Sequence, residues 1–319
     1  MSELDGLAPP VVEWCVRELG ARPVEQLFAV SQMSNVMGLR LDNGLSVVIK
    51  SRPDGDGGGE SGGEGRGRAA TCVAVQRALA ERGYPCPRPL TGVTVIDGRA
   101  VHAEEWRPGG EMLLGDVPEV AVKFAVLLAE LVAGAQLLGV RPPLPNPIWV
   151  GWDHDEPGTW PVYEQPGPLA DQVTLPEHVE ETAARVRKRL SRCALPCVIG
   201  HADWESQNLR WHGTEPYMVH DWDSLAWQPE AAIVGAAAGA FASSGQPTLA
   251  PVASSAAFLE AYQQTRGRAF SAEELEVAWA AGLWPAVHNA RAEHFWGIDL
   301  IASRAVEDQA ATRLALAGA

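Results

Sequence analysis

The feature that most constrains the fold is a change of character at residues 107–110, which read Arg-Pro-Gly-Gly. Before this break, short runs rich in apolar and β-branched residues alternate with turn signals and predict strands. These runs are LFAV (27–30), VMGLRL (36–41), LSVVIK (45–50), TGVTVI (91–96) and RAVHAEEW (99–106). After the break the chain reads mainly as helices, beginning with the apolar run 118–139. We therefore expect an α+β protein with a small strand-rich lobe over 1–106 and a larger helical lobe over 107–319.

Charge and cysteine content narrow the possible partners and compartment. The 319-residue chain has a formal net charge of −15. Nucleic acid is thus an unlikely partner, and either a cationic or metal-bound small molecule or simple solubility accounts for the charge. The chain has five cysteines, an odd number, and no two of them form a CxxC motif. This pattern predicts reduced thiols rather than disulfides. Because no signal peptide or membrane span is recognisable either, we expect a cytoplasmic protein.

A glycine-rich segment interrupts the strand-rich part. Eight of the fourteen residues from Asp54 to Gly67 are glycine, several others are acidic, and no phosphate-binding pattern is present. The composition predicts a flexible loop over 51–68, followed by a helix over 70–82 that ends at Gly83.

Two strand-like runs each lead into polar residues that could take part in catalysis or bind a metal ion. The stretch VIGHADWESQN brings Asp203 and Asn208 directly after one run, and Met218-Val219 leads into Asp221. A loop carboxylate can orient a substrate hydroxyl, while an amide and a carboxylate oxygen suit Mg²⁺. Lys50 closes a strand of the other lobe and can hold phosphate oxygens. Singly, each of these residues also suits a turn or a solvated strand end.

Taken together, these motifs resemble those of the aminoglycoside phosphotransferase family, whose members have the protein-kinase-like fold. HADWESQN and HDWD are similar to its catalytic and metal-binding loops, with five residues from Asp203 to Asn208 and thirteen from Asn208 to Asp221. SQMSNVMGLRLDNGLSVVIK resembles its nucleotide-loop hairpin, and AEEWRPGGE resembles its hinge. The resemblance covers roughly residues 25–300 and implies a bilobal small-molecule kinase.

The resemblance also implies roles for individual residues. Asp203 would be the catalytic base, His201 would brace its loop, and Asn208 and Asp221 would hold Mg²⁺. ATP would be the co-substrate and the nucleotide-binding residues would lie in the N-terminal lobe. These residues are Lys50 on the phosphates, Ser34 and Asn35 in the covering loop, and Glu104 and Trp106 with backbone groups on adenine.

Two departures from the family pattern are visible. The first helix normally carries a glutamate that pairs with the strand lysine, but no acid lies between Ala69 and Ala80. The pair is therefore either missing or supplied by Glu60 or Glu64. The family also tends to have an Asp shortly after the metal-binding motif, whereas this chain reads PEAAIVGAAAG. We expect that helix to be anchored differently.

The acceptor is not specified by these motifs. An aminoglycoside or similar polar amino or sugar compound is the first expectation, with a possible role in antibiotic resistance. The second expected function is that of a metabolic sugar, choline-like or homoserine-like kinase. The third is that of a nucleotide-binding pseudokinase whose strand lysine has no paired glutamate. Aromatic residues such as Trp160 and Trp284, together with acids such as Asp153, are candidates for contacts with an amine or sugar.

Overall fold

The computed structural model describes residues 8–31, 34–53, 64–138, 144–163 and 165–319, with only the backbone of 64–66. Its elements form two compact units. The first unit consists of Met1–Gly109, Leu138–Pro145 and Met218–Asp223, and the second contains Gly110–Leu137, Asn146–Tyr217 and Ser224–Ala319. The segment that carries Asp221 thus belongs to the first unit, although it follows Asp203 and Asn208 in sequence.

A five-stranded antiparallel sheet with the order β1-β2-β3-β5-β4 forms the centre of the first unit. Its elements are α1 (Pro9–Leu19), β1 (Pro23–Ser31), β2 (Asn35–Leu41), β3 (Ser46–Pro53), α2 (Glu64–Glu81), β4 (Thr94–Ile96) and β5 (Arg99–Glu105). The predicted turn at Asp42-Asn43-Gly44 joins β2 to β3, with Gly44 at φ 84°, a conformation that glycine adopts at little cost. Trp14 of α1 packs with Leu39 and Ile49 in a buried core beneath the sheet.

The expected flexible loop over 51–68 is wrong at both ends. β3 continues to Pro53, because its register with β5 extends through Ser51↔Val101 to Pro53↔Arg99. The helix α2 begins at Glu64, several residues before the predicted start, so glycines that read as linker form its first turn. Residues 54–63, which include Glu60, lie outside the described part of the chain.

The second unit is mainly helical. Its helices are α3 (Pro118–Gln136), α4 (Glu177–Leu190), α5 (Glu230–Ala240), α6 (Val252–Arg266), α7 (Ala272–Trp296) and α8 (Ile301–Leu316). Helices α5 and α7 pack closely, because Gly235 and Gly239 face the α7 backbone where a Cβ would have no room. Helix α7 begins with a capping box of Ser271 and Glu274. The α+β class predicted from the sequence is confirmed.

Short strands present the polar loops of the motifs. β6 (Cys197–His201) pairs antiparallel with β9 (Leu225–Pro229), while β7 (Leu209–His212) and β8 (Glu215–Val219) form a hairpin. The 3₁₀ turns Ser206–Asn208 and Trp222–Ser224 follow the two motifs. No helix in the described ranges is long and apolar enough to cross a membrane.

Candidate active site

In the second unit, the loop after β6 is organised by its own polar side chains. The Asn208 amide donates hydrogen bonds to Asp203 Oδ2 at 2.7 Å and to the Asp203 carbonyl at 3.0 Å. The backbone N–H of Asp203 donates to Nδ1 of His201 at 3.2 Å. The structure therefore brings His201, Asp203 and Asn208 together, as the spacing predicts.

The same loop is fixed to the helical core. Trp204 is fully buried and its indole N–H donates to the Phe124 carbonyl of α3 at 3.1 Å. The Ser206 hydroxyl donates to the carbonyl of Phe241, which directly follows α5, at 3.0 Å. Because these anchors sit between Asp203 and Asn208, the carboxylate has little freedom to leave its position. Trp204 is therefore a core residue.

In the first unit, Lys50 of β3 forms an ion pair with Glu104 of β5. The ammonium and the carboxylate are 3.1 Å apart, and both side chains are almost fully buried. Burial alone would lower the pKa of Lys50, but Glu104, Asp223 and Asp221 more than offset it and raise the pKa above its usual value. Lys50 is therefore charged, and carboxylates of its own unit surround it.

This ion pair answers the question left by the missing helix glutamate. Lys50 has a partner among the described residues, and that partner is Glu104 of the neighbouring strand. Glu60 and the side chain of Glu64, the two candidates from the sequence, lie outside the described residues. Helix α2 contributes a neutral residue instead, since the Gln76 amide donates to Glu104 Oε2 at 2.9 Å and to the Pro87 carbonyl at 2.8 Å. The sequence predicted a backbone role for Glu104 and missed its carboxylate.

The Asp221 segment is tied to the same charged cluster. Asp223 is buried, and its carboxylate forms an ion pair with the Arg52 guanidinium at 2.7 Å. The Arg68 guanidinium of α2 donates a hydrogen bond to the Asp223 backbone carbonyl, also at 2.7 Å. Although burial would raise the pKa of Asp223, Arg52 and Lys50 lower it, so the carboxylate stays ionised. Trp222 donates to the Val219 carbonyl, and its ring contacts Tyr84 edge-on.

Asp221 itself has an unusual backbone. Its φ is 57°, and among the described residues other than glycine only Asp97 shares a positive φ. Such a conformation costs free energy and is enriched at functional sites. A carboxylate at Asp221 and the amide oxygen of Asn208 are both hard ligands that fit Mg²⁺.

In the described part of the chain, no three or more His, Cys, Asp or Glu side chains form a cluster that could hold a metal ion. Mg²⁺ usually takes only one or two protein carboxylates and keeps several waters. Asn35 is the first residue of β2 and Ser34 directly precedes it. The Ser31 hydroxyl donates to Asn35 Oδ1 at 2.8 Å. Trp106 directly follows β5 and is half-buried.

The second departure from the pattern also has a structural answer. Glu230, the first residue of α5, replaces the expected Asp as the anchor of that helix. It accepts hydrogen bonds from Tyr262 at 2.7 Å, Arg266 at 2.9 Å and Arg268 at 3.1 Å. Burial would raise the pKa of Glu230, but these three donors lower it.

Comparison with known proteins decides the family. The sequence model of the phosphotransferase enzyme family matches residues 63–274, about two thirds of the chain. The chain belongs to the phosphotransferase enzyme family. It is therefore a small-molecule phosphotransferase with a hydroxyl group as acceptor, as the motifs implied. No curated protein sequence matches it.

Solved structures share the fold of this phosphotransferase. Amicoumacin kinase hAmiN in complex with AMP-PNP, Ca²⁺ and Ami aligns with a TM-score of 0.60 at 12% identity, covering 95% of this chain and 93% of that one. A thermostable mutant of aminoglycoside phosphotransferase APH(4)-Ia with AMP-PNP and hygromycin B aligns with a TM-score of 0.56 at 13% sequence identity, covering 97% of this chain and 99% of that one. A proposed fructosamine-3-kinase from Haemophilus somnus 129PT aligns with a TM-score of 0.56 at 12% sequence identity, covering 97% of this chain and 98% of that one. The protein-kinase-like fold predicted from the motifs is confirmed.

Proposed function

We propose that this phosphotransferase moves the γ-phosphoryl group of ATP, with Mg²⁺, to a hydroxyl of an aminoglycoside or a similar polar amino or sugar compound. The observation that carries the proposal is the locked pair of Asp203 and Asn208, joined at 2.7 Å in a loop fixed to the core. A carboxylate held in this way can accept the acceptor's hydroxyl proton as the oxygen attacks phosphorus.

Other residues take the roles expected from the family. Asn208 and Asp221 would hold Mg²⁺, which supplies charge neutralisation for the phosphates when it is bound. Lys50 would contact the α- and β-phosphates, and Ser34 and Asn35 would cover them. The backbones of Glu104 and Trp106 would recognise adenine. We accordingly assign nucleotide binding to residues 1–106 and acceptor binding to 107–319.

A metabolic sugar kinase is the second candidate, supported by the similarity to a proposed fructosamine-3-kinase. The pseudokinase hypothesis was based on an unpaired Lys50, and it loses that support because Lys50 forms an ion pair with Glu104.

The experiment is a phosphoryl-transfer assay with Mg²⁺ and ATP on a panel of aminoglycosides, amino sugars, sugars, choline and homoserine, read by ³¹P NMR of the products. We expect a new phosphate monoester with one acceptor class and ADP formation that depends on that acceptor. Binding of Mg·ATP without phosphorylation of any panel member would contradict the proposal. Susceptibility of a host carrying the gene to aminoglycosides would then separate a resistance role from a metabolic one.

A further inference from the structure

An arginine in the second unit is surrounded by aromatic rings. The Arg291 guanidinium on α7 lies 4.0 Å from the ring centroid of Tyr163, 4.5 Å from that of Phe295 and 5.6 Å from that of Trp160. Stacking on several rings fixes the plane of a guanidinium while leaving its N–H edge to find acceptors elsewhere.

The rings of this aromatic cluster are themselves held in place. The Tyr163 hydroxyl bonds His288 Nδ1 at 2.9 Å, and the Trp160 indole N–H donates to both oxygens of Glu180 at 3.1 Å. Burial lowers the pKa of His288 to about 4, so this imidazole is neutral near pH 7. Arg291 therefore supplies the positive charge of the cluster.

The Arg291 guanidinium lacks the acceptors that its neighbours have. Within the described ranges, no residue accepts a hydrogen bond from it or forms an ion pair with it. Glu180, whose charge does act on Arg291, already accepts from Trp160. A half-buried guanidinium with five donors and no acceptor among the described residues is prepared for an anion.

The cluster is connected to the catalytic loop within the same unit. Trp149, in the 3₁₀ turn Ile148–Val150, donates to the Ala202 carbonyl at 3.2 Å, one residue before Asp203. This turn also packs against α7. The segment that follows it carries Trp160 and Tyr163 to Arg291, so one stretch of chain contacts both places.

We propose that Arg291 binds a carboxylate group, and that the phosphoryl acceptor is a polyhydroxy or amino compound that carries one. A planar carboxylate matches the planar guanidinium edge in a two-point pair, which a neutral sugar hydroxyl cannot form. A single cation of this kind suits a monoanion. The identification of this ligand as the acceptor rests on the proposed function; the binding of a carboxylate does not.

The test uses matched probes that differ only in the carboxylate. Calorimetric titration of the full-length protein compares gluconate with glucitol, with acetate as the minimal carboxylate and chloride at equal ionic strength as reference. We expect gluconate to bind and glucitol not, and Arg291→Gln to raise the dissociation constant of gluconate at least about tenfold. Arg291→Lys, which keeps charge but loses the two-point geometry, is expected to raise it about threefold.

Arg304→Gln, an exposed arginine on α8, is the matched control and is expected to change nothing. Thermal unfolding of each ligand-free variant shows whether Arg291→Gln is folded, and Arg291→Lys keeps the test valid if it is not. Equal binding of gluconate and glucitol, or no carboxylate binding beyond chloride, would overturn the proposal. Tighter binding of glucosamine to Arg291→Gln would overturn it too, since the rings would then form a cage for a cation.

The two proposals fail in different ways. Carboxylate binding that Arg291→Gln removes, without phosphorylation of any hydroxyl, would support the Arg291 site and contradict the proposed function. Phosphorylation of neutral acceptors that is unchanged in Arg291→Gln would support the proposed function and contradict the Arg291 site.

Discussion

In the second unit, the polar groups of the loop after β6 bond to partners two and five residues away, and the loop is visible in the sequence as HADWESQN. In the first unit, the charged cluster joins residues 28 positions apart at Gln76 and Glu104, and 155 apart at Arg68 and Asp223. The first arrangement is local. The second is long-range, buried and charged. The difference predicts that Asp203 can be changed with little loss of stability, whereas removing one partner of the buried Lys50–Glu104 pair costs stability.

The largest expected effect removes chemistry and leaves the fold. Asp203→Asn keeps an oxygen for Asn208 but cannot accept the hydroxyl proton, so we expect kcat to fall about 10³-fold. The free energy of unfolding should change by less than about 0.5 kcal/mol. Steady-state kinetics and denaturant unfolding measure the two quantities, with the exposed Asp171→Asn as control. Unchanged turnover would mean that Asp203 is not the base.

The next effect is on stability. Glu104→Gln leaves Lys50 buried without its partner, and we expect a loss of about 3 kcal/mol in the free energy of unfolding. Glu105→Gln is the matched control, because Glu105 is the adjacent residue and pairs with Arg88 near the surface. It should cost at most about 1 kcal/mol. Equal effects in urea unfolding would break the contrast between the two regions.

A third prediction concerns the charged network around Glu230 in the second unit. Glu230→Gln removes a carboxylate that accepts from Tyr262, Arg266 and Arg268, and we expect a loss of about 2 kcal/mol at pH 7. The folded-state pKa of Glu230 is lowered. Its contribution is thus present above the unfolded pKa of about 4.3 and disappears as the pH falls through the folded value.

The measurement for Glu230 is the unfolding free energy of both proteins between pH 7 and pH 3.5. The difference between wild type and Glu230→Gln should shrink on acidification, while the exposed Glu260→Gln should show no comparable trend. A difference that grows as the pH falls would contradict the assigned direction.

The smallest effect is expected at His201. Its Nδ1 accepts a hydrogen bond from the Asp203 backbone N–H, so we expect His201 to position the loop. His201→Ala should lower kcat about tenfold, or about 1.4 kcal/mol, with little change in KM for ATP. The exposed His212→Ala is the control. A loss as large as that of Asp203→Asn would instead make His201 part of the proton transfer.

The sequence predicts local features well and distant pairings poorly. The spacing of His201, Asp203 and Asn208 was sufficient for the loop, because a short segment after a strand has few ways to place them. Glu104 was not foreseen as the partner of Lys50, because this pairing depends on the register of β3 against β5. A signal was nevertheless present: Lys50 and Arg52 alternate on one strand and His102 and Glu104 on another, which places each polar pair on one face.

The α2 helix shows a different limit. The composition of its glycine-rich first residues predicts a flexible linker, yet the helix begins at Glu64. Glycine has low helix propensity, but tertiary packing overrides propensity. Arg68, which the loop prediction included, lies in this helix and donates to the Asp223 carbonyl.

The most direct test of the account is a double-mutant cycle on Lys50 and Glu104, measured as free energies of unfolding for Lys50→Met, Glu104→Gln and the double variant. If β5 supplies the partner of the strand lysine, the double variant should be more stable than the sum of the single losses predicts, with a coupling of about 2 kcal/mol or more. A coupling near zero would show that Lys50 and Glu104 act independently, and it would contradict the conclusion that Glu104 replaces the helix glutamate.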